Sequence, residues 1–307
     1  KKTTQKSVLG GIGVALLLCL LMALMPMSGF VTNNVGEIDF VDATEESEDF
    51  FKLPDTIEDT DYEYDQALEL KGMRDQMTKA YITEDGQIAQ LVANEPINYL
   101  QEDGVWDEID LNVVATANGW EVTKNTFTAE FAAEVAGGVR VQTSQFVDPI
   151  ITGINPTVVT IDESGEAPMP LMVEPSNEGP TVGGNIIRYP VAQGFDLDYT
   201  VESSQLKQNL VIRERPVLQP NAAWLGFSEA VQLPAGYSLY IGDTLVDEAI
   251  TQTQEELQVR NTETGELLVS FPVPMVIEEN AEEPYVATYF VQAYGSLIVL
   301  TTAVDTD

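Results

Sequence analysis

The sequence predicts an all-β protein: antiparallel, sandwich-like β structure placed behind an N-terminal hydrophobic helix and an acidic linker. Three observations predict it. Apolar residues recur at every second position over many short runs, turn residues separate those runs, and no long run of helical period lies between them.

The alternation is clearest in the second half. Leu206, Leu210 and Ile212 share one strand face, with Lys207, Asn209 and Arg213 on the other. Phe195, Leu197 and Tyr199 oppose Asp196 and Asp198, and Tyr285, Ala287, Tyr289 and Val291 line one face of a further strand. Asp85-Gly86, Asp103-Gly104 and Asn118-Gly119 read as two-residue hairpin turns, because Asn, Asp and Gly tolerate positive φ. Gly137-Gly138, Ser164-Gly165, Gly183-Gly184 and Thr264-Gly265 supply further turns. Before the β pattern, Leu70, Met73 and Met77 fall at helical spacing, but Gly72 favours a short or absent helix. Pro168, Pro170, Pro175 and Pro180 remove ladder donors and mark an edge or a connection. They place a boundary near residue 180, giving a first β domain over 78–180 and a second over 181–307, the latter truncated at its C-terminal end.

The two preceding segments read differently. Lys1, Lys2 and Lys6 precede an apolar run from Val8 to Met25. A positive flank followed by such a run is the pattern of an export signal, and at ~1.5 Å per residue it nearly spans ~30 Å of hydrocarbon. Residues 1–30 are therefore expected to be a signal peptide or a retained signal anchor, with the membrane met only through residues 8–25. Residues 31–77 form the acidic linker; its heart, 37–65, holds 13 acids and one lysine, Lys52.

Charge and composition exclude several functions. The formal net charge of −36 repels nucleic acid and anionic lipid. With no histidine and one cysteine, Cys19, inside the apolar run, the exported part has neither a Ser-His-Asp nor a Cys-His arrangement and no internal disulfide. Ser204 and Lys207 have the S-x-x-K spacing, but on an alternating strand they point to opposite faces. Among 50 acids some carboxylate pair suited to glycoside hydrolysis arises by chance, and the sequence singles none out. A structural calcium ion has weak candidate ligands in Asp107, Asp110, Asp196 and Asp198. Trp120, Trp224 and Tyr237 are candidate aromatic platforms for a carbohydrate, each more often a core residue than a platform.

Three stretches carry a family resemblance. Tyr99, Asp103, Gly104, Trp106, Ile109 and Asp110 have the spacing Y-x-x-x-D-G-x-W-x-x-I-D, continued by Asn118 to Trp120 and Asn125 to Phe131. Tyr189-Pro190, Asp196-Leu197, Tyr199, Val201 and Lys207 form the second stretch, and Phe271 to Met275 the third. Together they resemble the β-rich region near the N-terminus of secreted wall-associated, YD-repeat (Rhs-like) and DNRLRE-type surface proteins. Gln208 departs from that pattern, which has glutamate there. The resemblance implies packing roles, with Trp106 and Tyr189 as core anchors and Lys207 a surface or salt-bridged residue, and no catalytic residue. The expectation is a non-catalytic structural or interaction module of an exported surface protein. It would stand upstream of a larger passenger, with downstream domains or envelope components as partners. A ligand-binding β-sandwich is the alternative, and a carboxylate-dependent glycosidase the third reading.

Overall fold

A computed structural model describes residues 68–306, apart from 84–85, 145–147, 166–167, 177 and 279–282, together with the backbone of Leu16–Ala23. The expected linker lies outside the described residues except at its C-terminal end. The signal or anchor lies outside them too, apart from that backbone segment, which runs as a strand beside Gln205–Ile212.

The described chain is all-β and antiparallel, as the alternation predicts. Two large sheets carry it, with two small hairpins at the N-terminal side. One sheet runs from Thr181–Gly183 through Ile186–Ala192, Phe195–Val201 and Gln205–Ile212. Beyond Leu16–Ala23 it continues with Leu267–Phe271, Leu257–Asn261, Tyr237–Ile241 and Thr244–Leu245. The other runs from Thr251–Thr253 through Thr288–Tyr294, Leu297–Asp305, Ala222–Gln232, Ile150–Asp162, Gly137–Gln142, Thr128–Ala132 and Gly119–Val122 to Val114–Thr116. Ile150–Asp162 and Ala222–Gln232 are hydrogen-bonded neighbours, so this sheet joins strands from both sides of residue 180.

Burial follows the period-two rule that built the strands. Along Gln205–Ile212, half-buried and buried residues alternate without a break. The inner faces of the two sheets meet in one apolar cluster that extends from Val113 to Val304. Phe131 of one sheet and Tyr199 of the other lie 5.8 Å apart between ring centroids, and Tyr199 meets Tyr189 edge-on at 6.1 Å. Burying each such large side chain contributes about 1.5–3 kcal/mol over leaving it exposed, which explains why the sheets stack.

Two expectations change in detail. Tyr285 does not belong to the strand that carries Tyr289: it sits exposed on the short strand Tyr285–Val286, and Thr288–Tyr294 begins after it. Trp106 is not a core anchor. Its strand, Trp106–Glu108, pairs only with Asn98–Leu100 in a separate small hairpin, which leaves the indole half-buried. Tyr189 does anchor the core, and its hydroxyl donates to the Ala132 carbonyl at 2.7 Å. Among the described residues before the β pattern, Lys71–Met73 forms a short 3-10 turn. The proline-rich stretch is an edge, with Met169–Pro170 pairing along Val159 and Thr160.

Candidate functional site

Three inward-facing rows each carry one polar residue among apolar ones. Along Ala222–Gln232 the row is Leu225, Phe227, Glu229 and Val231, and all four are buried. Along Gln205–Ile212 it is Leu206, Gln208, Leu210 and Ile212. At the start of Ile150–Asp162, Ile150 and Thr152 are both buried. These three polar residues converge. The Thr152 hydroxyl donates to one oxygen of Glu229 at 3.0 Å, and the Gln208 amide donates to the other at 2.5 Å. The Gly153 N–H also donates to Glu229.

A bulge makes this convergence possible. Register between Ile150–Asp162 and Ala222–Gln232 slips between Ile151 and Ile154. Gly153 takes φ of +67° there, a left-handed value that favours glycine. A Cβ at this position would lie 2.1 Å from the Tyr199 hydroxyl, so glycine is required sterically as well. The bulge turns the Thr152 hydroxyl and the Gly153 N–H onto the same carboxyl.

The electrostatics are those of an acid without a cation. Burial pushes the Glu229 carboxyl up to about 7, against the opposing pull of hydrogen bonds from Gln208, Thr152 and Gly153. Among the described residues no salt bridge reaches it. Burial also raises the hydroxyls of Tyr199 and Tyr289, helped by the negative charge of Glu229. The Gln208 side-chain oxygen is buried without a hydrogen-bond partner, while its nitrogen lies 3.3 Å from the Tyr199 hydroxyl.

The candidate cation ligands lie apart from this network. Asp196 is paired with Arg213 and faces Arg188 at 3.9 Å, and Asp198 is paired with Arg188 at 2.6 Å. Asp107 lies 3.4 Å from Arg74, and Asp110 accepts from the Asn112 backbone and side chain. Among the described residues no group of three or more Asp, Glu, Cys or His side chains is placed to hold a metal ion. The three aromatic candidates are half-buried and also separate. Trp120 packs edge-on against Tyr189 at 6.5 Å, Trp224 against Phe290 at 5.5 Å, and Tyr237 packs on the main core. Ser204 lies in the turn before its strand, while Lys207 is ion-paired with Glu202, so the S-x-x-K pair is not assembled.

A surface cleft of about 750 Å³ opens beside the N-terminal hairpins. Tyr99, Leu100 and Trp106 line it together with Gln76, Gln101 and Ser204. Beneath the same hairpins, Arg74 grips Glu69 through two hydrogen bonds of 2.5 and 2.7 Å and reaches Glu108 at 2.9 Å.

Sequence reading missed Glu229 and Arg74. Glu229 had a signal: an acid inside an otherwise apolar period-two row. Arg74 had none, because its partners in the second hairpin stand 33 and 34 positions away. Comparison with protein families, with curated proteins and with solved structures gives no match.

Proposed function

We propose that this chain is a non-catalytic structural and interaction module of an exported cell-surface protein, standing upstream of a larger passenger. The observation that carries the reading is the main apolar cluster, which runs from Val113 to Val304. A long double sheet closed over one core is suited to holding neighbouring parts of a polypeptide at fixed separation, because antiparallel ladders flanked by dense packing resist local opening. The lysine-then-apolar N-terminus supports export, and the acidic stretch after it supports a tether.

Two experiments test it. Residues 1–34 fused to a reporter that is active only outside the cytoplasm should give signal, and a silent, correctly expressed fusion contradicts export. The full chain, screened for reducing-sugar release from polysaccharides, should be inactive. Turnover that disappears on changing one Asp or Glu would replace the structural reading with a glycosidase.

The cleft favours a second reading, a ligand-binding β-sandwich. Aromatic faces beside amide and hydroxyl groups are the lining that carbohydrate recognition uses. Reproducible binding on a glycan array that is lost in Trp106→Ala would favour this reading. Loss in Trp224→Ala instead would locate the platform at the site the sequence suggested.

A further inference from the structure

The Thr152, Gln208 and Glu229 cluster has an arrangement that ordinary packing does not require. A hydroxyl nucleophile and a carboxamide, from opposite sheets, are held on the two oxygens of one buried acid at 3.0 and 2.5 Å. We propose that Thr152 and Gln208 become joined by an intramolecular ester that staples the two sheets together. The Thr152 hydroxyl oxygen attacks the Gln208 side-chain carbonyl carbon, and the new C–O bond replaces the amide C–N bond. Glu229 takes the hydroxyl proton and delivers it to the departing nitrogen, which leaves as ammonia. Atoms balance without an oxidant or any other reactant.

Each group has a role that its surroundings supply. The bulge at Gly153 aims the Thr152 hydroxyl at the carboxyl. Glu229, buried and without a cation, is poised to hold or release a proton near neutral pH. The Gln208 amide nitrogen also donates to the Tyr199 hydroxyl at 3.3 Å, which holds the amide between Tyr199 and Glu229. Among the described residues the Gln208 oxygen makes no hydrogen bond that would hold the amide in its ground state. Thr152, Gln208 and Glu229 are each at most 5% exposed, so water that would hydrolyse the ester is kept out while ammonia is lost to bulk solvent. The inference rests on the core geometry and stands whether or not the functional reading above holds.

Peptide mapping of the full chain, after purification and again after prolonged incubation, tests it. Denatured, proteolysed protein should yield one joined pair of peptides, one containing Thr152 and the other Gln208. The pair should be lighter than its two components by one ammonia, about 17 Da, and mild alkaline hydroxylamine should separate it. Thr152→Val and Glu229→Gln should yield the two peptides apart. Wild-type protein that is folded by circular dichroism yet yields separate peptides at their sequence masses overturns the proposal. A joined pair that persists in Glu229→Gln overturns the role given to the acid. Should that variant fail to fold, Thr152→Val in the same assay, with loss of the pair in folded protein, still decides whether Thr152 is the nucleophile.

Discussion

Glu69 and Glu229 are both withdrawn from water, one beneath the N-terminal hairpins and the other between the two sheets. The chain stabilises them in opposite ways. Glu69 meets the guanidinium of Arg74, and both side chains are 2% exposed. The hydrogen bonds from Arg74 hold its carboxyl below the ordinary glutamate value. Glu229 is given neutral donors only, and burial lifts its carboxyl to about 7. The difference follows from position. At the hairpins Arg74 also contacts Asp107 and Glu108, which are 43% and 44% exposed, so the cation sits at the edge of solvent. Between the sheets a second charge would have to be buried too, and a pair of buried charges is rarely repaid by its own attraction.

The two acids therefore act on stability with opposite pH dependence. A carboxyl lowered on folding stabilises above its unfolded value, and that contribution is lost as pH falls through the folded one. A carboxyl raised on folding stabilises below its unfolded value, and that contribution is lost as pH rises through the folded one.

Removing the cation from the first site should have the largest effect. Arg74→Ala leaves Glu69 buried and unpaired, a change expected to cost about 3–5 kcal/mol. The loss should be local, erasing hydrogen-exchange protection across Thr78–Ile82 while the sandwich strands keep theirs. Equal loss throughout would show that the hairpins and the sandwich unfold together.

The second site should respond through its proton. Wild-type stability should decline by roughly 3 kcal/mol between the ordinary glutamate range and pH 8, because burial lifts the Glu229 carboxyl to about 7. Glu229→Gln should be flat over that window, as measured by urea denaturation at a series of pH values. A variant that keeps the wild-type slope would assign the dependence to another group.

Gly153→Ala tests the bulge that assembles the second site. It adds a side chain at φ of +67° and 2.1 Å from the Tyr199 hydroxyl. A loss of about 1–3 kcal/mol is expected in thermal denaturation. An unchanged midpoint would mean that the strand slips to a regular register.

The smallest effect is expected at Asp196. Its partners Arg213 and Arg188 are 57% and 42% exposed, and solvent screens such pairs. Asp196→Asn should therefore cost about 1 kcal/mol or less. A larger loss would place this acid closer in kind to Glu69.

The same contrast shows what the sequence makes legible. Alternation in Phe195–Val201 and Gln205–Ile212 is a local property of each strand, and both pair as their apolar faces require, Leu197 opposite Leu210 and Val201 opposite Leu206. Gly104 and Gly184 take positive φ at turns their dipeptides announce. Trp106 was misjudged because its spacing fixes a hairpin but not whether that hairpin joins a larger sheet. The inward polar cluster was illegible as a cluster, since Thr152 and Glu229 stand 77 positions apart and a bulge aligns them. A charge balance cannot reveal it either, because a total of 50 acids does not say that Glu229 faces inward.

The central claim is that Glu229 lies in a dry interior where, among the described residues, no cation compensates its charge. Following its carboxyl carbon by NMR through a pH titration of the folded full chain tests this most directly. The account predicts an inflection near 7, well above the ordinary glutamate value. An inflection at that ordinary value would mean that water or a cation reaches the carboxyl, and would contradict it.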